Sequence, residues 1–172
     1  MLDSILASAR SNEGVRVQAN AATDGDGLIS NDKIRIAVVG VGGGGCNTIN
    51  RMMKNNIQSA QTIAINTDSL HLRSMSAHKK VLIGGTITKG LGAGGFPEVA
   101  EKCAQASRQQ LKEVIGENEL VFLCAGMGGG TGTGAAPVIA EIAKEAGAVV
   151  VSIVTIPFAL ERARLKKAVW GL

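Results

Sequence analysis

Aromatic side chains are nearly absent from this sequence, which holds no tyrosine, one tryptophan and three phenylalanines. Proteins that bind single-stranded nucleic acid stack successive bases on aromatic rings, so this scarcity argues against that class. The net charge of +4 at pH 7 comes from lysines and arginines that are scattered along the chain rather than clustered. We therefore expect no nucleic-acid partner.

Long apolar runs are also missing, and cysteine is scarce. The longest apolar candidate is AVVVSIVTI at 148–156, whereas a helix needs roughly 20 apolar residues to span a bilayer. The three cysteines, Cys46, Cys103 and Cys124, are odd in number and lack the spacing of metal ligands. The opening MLDSILASAR has neither a charged leader nor a long apolar core. We expect a cytoplasmic protein with reduced thiols, no direct membrane insertion and no metal site built from side chains.

Glycine, by contrast, is abundant, with 23 residues among 172, against a usual share of about 7%. Most of these glycines fall in three clusters, at 40–45, 84–95 and 126–134. Glycine loses more chain entropy on folding than any other residue, so such runs are tolerated where a positive φ or a close approach to a ligand requires them. The clusters therefore indicate loops that approach a ligand.

Short apolar runs alternate with helical patterns from residue 33 onward. Strands are predicted at 33–39, 62–66, 80–84, 119–125 and 148–156, and helices at 47–55, 97–115 and 135–146. Continuous apolar runs are typical of strands buried on both faces. The pattern predicts an α/β fold, a doubly wound and mainly parallel sheet with helices on both faces. Residues 1–32, which are small, polar and contain the turn signal TDGDG, are predicted to form a flexible extension.

Two of the glycine loops follow strands of this sheet directly. GVGGGGCN follows the first strand and GMGGGTGTG follows the fourth, and ligands of such sheets bind beyond the carboxyl ends of the strands. Each loop supplies free backbone N–H groups and a positive helix terminus to the same edge. The pair predicts an extended anionic ligand. Cys46 lies at one of these helix starts, where the pKa of a thiol can be lowered.

Several phosphate ligands fit these loops. The loop at 40–45 has G-x-G-x-x-G spacing with Asp68 after the next strand, which is compatible with an NAD-type oxidoreductase domain. A Walker loop needs a lysine and a hydroxyl residue after its last glycine, and neither loop has that pair. Backbone dipoles, the hydroxyls of Thr131 and Thr133 and a metal ion would then meet the phosphate charge. The more glycine-rich second loop has no general reason to exist in an NAD-binding fold. A non-hydrolysing nucleotide module also remains an alternative.

The segment GGGTGTG at 128–134 resembles the signature loop of the tubulin and FtsZ superfamily. The segments GVGGGGCNTINRM at 40–52, AINTD at 64–68 and KGLGAGGFPEVA at 89–100 resemble the FtsZ cell-division GTPases, as does AAPVIAEIAKEAGA with VTIPF after it. The resemblance covers essentially everything after residue 32, and the wording TIPFALERARLKKA is closer to archaeal than to bacterial members. It implies a Rossmann-like GTPase domain over 33–172 that binds GTP or GDP with Mg²⁺.

The resemblance also implies which residues contact the nucleotide. They are Gly43, Gly44, Gly45, Cys46 and Asn47 in the first loop, Asn66 and Asp68 after the second strand, Gly128, Gly129, Gly130, Thr131, Gly132 and Thr133 in the signature loop, and Glu161 and Arg164 after the fifth strand. The loop at 90–97, called the sensor loop below, would lie over the terminal phosphate. Because FALERARLKKA is one residue shorter than the family pattern, Arg162 competes with Arg164. Alternatively, Glu161 starts a helix whose basic residues face solvent.

The resemblance implies more for the whole protein than this chain contains. FtsZ-like proteins polymerise head to tail into filaments at the division site, work with membrane-tethering division proteins and complete GTP hydrolysis between adjacent subunits. The acids for that step lie on a loop after a central helix, and neither that helix nor a second domain is found before Leu172. We expect a GTP-binding part that is truncated at its C-terminal end, with no catalytic residue of its own. His71 and His78 are expected at the surface.

Overall fold

The fold is described here from a computed structural model, for residues 33–172. Its core is a sheet of five strands, each parallel to its neighbours, in the order β3-β2-β1-β4-β5. The strands are β1 at Ile36–Val41, β2 at Gln61–Asn66, β3 at Lys79–Leu82, β4 at Leu120–Gly126 and β5 at Val149–Thr155. The predicted doubly wound parallel sheet is confirmed. The prediction of a flexible extension at 1–32 lies outside the described residues.

Seven helices connect and cover these strands in the described part of the chain. They are α1 at Gly42–Lys54, α2 at Ser69–Ser74, α3 at Gly85–Thr88, α4 at Pro97–Ala106, α5 at Arg108–Ile115, α6 at Thr131–Glu145 and α7 at Arg162–Trp170. The short helices α2 and α3 were not predicted, since they contain too few residues to show a period. Helix α7 begins at Arg162, directly after Glu161, close to the alternative in which Glu161 starts a helix.

The predicted helix boundaries need three corrections. Helix α1 begins at Gly42 rather than residue 47, and α6 begins at Thr131 rather than residue 135, so both helices start inside their glycine loops. The predicted helix at 97–115 is two helices that meet at Ser107. The Ser107 hydroxyl accepts a hydrogen bond from the N–H of Gly84 at 3.1 Å, which ties this break to the loop after β3.

Helices pack on both faces of the sheet because neighbouring residues of a strand point to opposite faces. In β1, Val38 belongs to the cluster under α1, together with Ile49 of that helix. Val39 belongs to the larger cluster on the other face, where α4, α5 and α6 pack. The central strands are therefore buried on both faces, as predicted. No helix in the described range is long and apolar enough to cross a membrane.

Strand β5 departs from the prediction of burial on both faces. Val149, Val151 and Ile153 are 64%, 41% and 56% exposed, although the run is as apolar as that of β1. Val150 and Val154 on its other face pack against the larger core cluster. The reason is position, because β5 is the last strand of the sheet in the described residues and α1 packs on β1, β2 and β4.

Candidate functional site

The two glycine loops meet at the carboxyl edge of the sheet because β1 and β4 are neighbours. Gly42 opens α1 with a φ of +69°, and a Cβ added there would lie 2.7 Å from the N atom of Gly132. A Cβ added at Gly44 would lie 3.4 Å from the Cα of Gly126. The loops thus lie within van der Waals contact of each other, as their positions after adjacent strands predict.

A cleft of about 830 Å³ lies at this edge, within the range of roughly 300–1,000 Å³ that is usual for ligand sites. Its lining comes from three segments: the start of α1, the signature loop and the chain that follows β5. The lining residues are Gly43, Gly44, Gly126, Met127, Gly128, Gly129, Gly130, Thr131, Gly132, Thr155, Ile156, Pro157, Phe158, Glu161 and Arg164.

Two helix N-termini face this cleft without side-chain caps. Val41 precedes α1 and Gly130 precedes α6, and neither helix has a side-chain cap or an acidic residue in its first turn. The first N–H groups of a helix have no carbonyl partner within the helix, and the helix dipole is positive there. Together the two termini make a site suited to an anion that reaches across both loops.

Nine of the residues that the resemblance implied line the cleft. They are Gly43, Gly44, Gly128, Gly129, Gly130, Thr131, Gly132, Glu161 and Arg164. Arg162, the competing arginine, is not among the lining residues. Glu161 and Arg164 form an ion pair, with Nη1 of Arg164 2.9 Å from Oε2 of Glu161. The geometry therefore favours Arg164 over Arg162 for the arginine position.

The remaining implied residues of the first loop, Gly45, Cys46 and Asn47, do not line the cleft. A Cβ at Gly45 would collide with the carbonyl oxygen of Cys124, so this glycine serves packing between α1 and β4. Asn47 is exposed. Cys46 is fully buried, and its Sγ lies 3.5 Å from the carbonyl oxygen of Ile65. Burial raises the pKa of this thiol to about 12. The helix start therefore does not make a reactive thiolate here.

Asn66 and Asp68 organise the turn after β2. The Asn66 Oδ1 accepts hydrogen bonds from the N–H groups of Thr67 at 2.8 Å and Asp68 at 3.3 Å. Oδ1 of Asp68 accepts from the N–H of His71 at 3.0 Å and caps α2. The His71 ring is half-buried, with Nδ1 3.1 Å from Nδ2 of Asn66. His71 is thus only partly exposed, whereas His78 is exposed and its Nδ1 accepts a hydrogen bond from the N–H of Thr62 at 3.0 Å.

Threonine hydroxyls hold the loops of the site in place. Thr133 is fully buried, and its Oγ1 accepts a hydrogen bond from the N–H of Gly128 at 2.9 Å, so it closes the signature loop instead of lining the cleft. Thr67, which sequence reasoning missed, places its Oγ1 2.8 Å from that of Thr131. This contact joins the turn after β2 to the signature loop.

Sequence reasoning also missed part of the cleft wall. Thr155, Ile156, Pro157 and Phe158 line it, and Phe158 is 80% exposed. A signal for them was available, because these residues follow β5 at the same carboxyl edge as both glycine loops. The sensor loop lies beside the signature loop, since a Cβ at Gly130 would be 3.1 Å from the N atom of Phe96.

A doubly wound parallel sheet with glycine loops around a cleft at its carboxyl edge defines the class of α/β domains that hold phosphate ligands there. The family description "Tubulin/FtsZ family, GTPase domain" matches residues 35–172. The chain belongs to this family.

Individual relatives agree with that assignment. Cell division protein FtsZ 2 of Methanocaldococcus jannaschii is 60% identical over 138 residues, which are 80% of this chain and 36% of that protein. Cell division protein FtsZ 2 of Haloferax volcanii is 46% identical over 172 residues, which are 100% of this chain and 42% of that protein. The solved structure "FtsZ dimer, empty" from M. jannaschii has a TM-score of 0.79 at 48% identity and covers 83% of this chain and 42% of that one. The chain thus spans less than half the length of these relatives.

Proposed function

We propose that this chain is the GTP-binding part of an FtsZ-like GTPase that polymerises into filaments of the cell-division ring. The observation that carries the proposal is the signature loop at the start of α6, which meets the glycine loop of α1 at a cleft of about 830 Å³. The identity of 60% to a cell division protein FtsZ 2 supports the same function. The cytoplasmic face of the division site is the location that this function requires.

The cleft fits a nucleotide by its chemistry. The uncapped starts of α1 and α6 supply N–H donors and positive dipole ends for phosphates. Gly43 and Gly129 leave open space, because a Cβ at either residue would meet nothing within 4 Å. We assign to Glu161, which lines the cleft, the role of accepting hydrogen bonds from ribose hydroxyls, and Arg164 holds that carboxylate.

Mg²⁺ bound with the nucleotide is part of the proposal. Within 33–172 no group of three or more His, Cys, Asp or Glu side chains could hold a metal ion. Mg²⁺ keeps several waters and is commonly held by substrate phosphates with few protein ligands. The nucleotide phosphates, water and the Thr131 hydroxyl are therefore the donors we assign to it.

Hydrolysis needs a group that this cleft lacks. Among the lining residues Glu161 is the only carboxylate, and it is paired with Arg164. We assign the water-positioning acid to a neighbouring subunit, which requires self-association of the full-length protein. The relative solved as an FtsZ dimer is consistent with such contacts. Membrane-tethering division proteins complete the set of partners in this proposal.

Calorimetry with GTP, GDP, ATP and NAD⁺ tests the binding step. We expect the guanine nucleotides to bind weakly and NAD⁺ not to bind, because an NAD-binding fold has no general reason to hold the second, glycine-rich signature loop beside the first. Preference for NAD⁺ would restore the oxidoreductase alternative. The purified monodisperse chain should show no GTP turnover above background. Sustained turnover without a partner would place the catalytic acids within residues 1–172 and refute the assignment of roles.

A further inference from the structure

Lys167 reaches from the last turns of α7 to the sensor loop. Its Nζ donates a hydrogen bond of 2.6 Å to the carbonyl oxygen of Gly95 and lies 5.6 Å from the centroid of the Phe96 ring. None of the ion pairs in the described part of the chain includes Lys167. A hydrogen bond from an ammonium group is stronger than one between neutral groups. This contact therefore joins α7 to the sensor loop with a charge that no carboxylate neutralises.

The two halves of the sensor loop are held differently. Residues 90–92 are tied to the turn after β2, where the N–H of Ser69 donates to Gly90 at 2.9 Å and that of Gly92 donates to Thr67 at 3.1 Å. In the second half, Gly94 and Gly95 have φ values of +60° and +77°. Ordering such glycines costs chain entropy. Among the described residues, the only side-chain hydrogen bond to this second half comes from Lys167.

The second half also forms a wall of the signature loop. A Cβ at Gly130 would lie 3.1 Å from the N atom of Phe96 and 3.2 Å from the carbonyl carbon of Gly95. Helix α7 touches the signature loop as well, since a Cβ at Gly128 would lie 2.9 Å from the carbonyl oxygen of Arg164. One helix thus contacts both loops, and Lys167 contacts Gly95, which lies beside Gly130 before the start of α6.

We propose that Lys167 is a positioning residue that acts through Gly95 to favour a nucleoside triphosphate over a diphosphate. It holds the second half of the sensor loop beside Gly130 before the nucleotide arrives, so the loop reaches the terminal phosphate without first being ordered. A diphosphate lacks the third phosphate that this half of the loop would contact, so its binding gains nothing from the tether. The inference rests on the function proposed above and on the expectation that the sensor loop lies over the terminal phosphate.

Three variants of the 172-residue chain test it: Lys167→Met, Lys167→Arg and, as a matched control, Lys166→Met on the exposed side of α7. Hydrogen–deuterium exchange without nucleotide should be faster at residues 94–96 in Lys167→Met and unchanged in the control. By calorimetry, GTP affinity should fall about tenfold in Lys167→Met, the value of one charge-assisted hydrogen bond, while GDP affinity stays the same. Lys167→Arg keeps a cationic donor and should restore most of the difference.

The outcomes separate this inference from the proposed function. Equal losses for GTP and GDP, or an unchanged ratio, would overturn the positioning role. If the wild-type chain bound no guanine nucleotide, the proposed function would fail, and unchanged exchange at residues 94–96 would overturn the tether independently. Should circular dichroism show that Lys167→Met is unfolded, Lys167→Gln serves with the same two measurements and the same expected results.

Discussion

The two glycine loops of the site have similar compositions but divide their glycines between two physical roles. In the loop of α1, Gly45 is packed against β4, whereas Gly43 faces open space. In the signature loop, a Cβ at Gly132 would collide with the carbonyl oxygen of Gly126, whereas one at Gly129 would meet nothing within 4 Å. Packed glycines hold the loops together, and open glycines leave room for a ligand. Substitutions at the two kinds of position should therefore have different effects.

The largest effect is expected at a packed glycine. Gly45→Ala places a Cβ against the carbonyl oxygen of Cys124 in β4, a backbone atom that cannot rotate away. The free energy of unfolding should fall by about 3 kcal/mol, the upper end of the usual cost of overpacking. Urea denaturation followed by circular dichroism measures it. A loss no larger than that of a surface substitution would show that α1 and β4 tolerate a wider separation.

Cys46 follows that packed glycine, and its buried thiol predicts that the stability of the fold depends on pH. Because burial raises the pKa of its thiol from 9.0 to about 12, the unfolded chain releases this proton at lower pH than the folded chain does. The contribution to stability is complete below pH 9 and is lost as the pH rises toward 12. At pH 8 a thiol reagent should label Cys46 only after unfolding. Rapid labelling of the native protein, detected by mass spectrometry, would contradict this burial.

An open glycine should affect binding without affecting stability. Gly129→Val fills part of the cleft while its Cβ meets no protein atom, and its φ needs no glycine. Nucleotide affinity should fall at least about tenfold, or 1.4 kcal/mol, with an unchanged melting temperature. Gly43→Val repeats the test from the other loop. Gly85→Val, also open but outside the cleft, is the matched control, and an equal loss of affinity in it would refute the interpretation.

The smallest effect is expected at a glycine that neither packs nor lines the cleft. Gly147 follows α6 with a φ of +92° and open space around its Cα. Gly147→Ala should cost about 1 kcal/mol through the left-handed backbone conformation alone, with unchanged nucleotide affinity. Thermal unfolding and calorimetry on the same sample measure both. A drop in affinity would mean that the end of α6 is coupled to its start.

The sequence by itself determined the order of the elements and the edge on which the site lies. Runs of β-branched residues and helical periods are local patterns, and parallel strands bring the loops after β1 and β4 to one edge whatever the details of packing. The glycine loops after β1 and β4 were therefore identifiable from these patterns, whereas the role of 128–134 as a signature loop and that of Glu161 were implied by the resemblance to the FtsZ family. Nine of the implied nucleotide-contacting residues line the cleft.

Tertiary structure decided what each residue in those segments does. Gly45 is packed because it meets the carbonyl oxygen of Cys124 in β4, whereas Gly43 meets no protein atom. The exposure of β5 depends on which helices lie over each face of the sheet. The contact between Lys167 and Gly95 joins residues 72 positions apart. Periodicity and propensity report only on near neighbours along the chain, whereas collisions, burial and hydrogen bonds over such separations arise only when the sheet brings distant segments together.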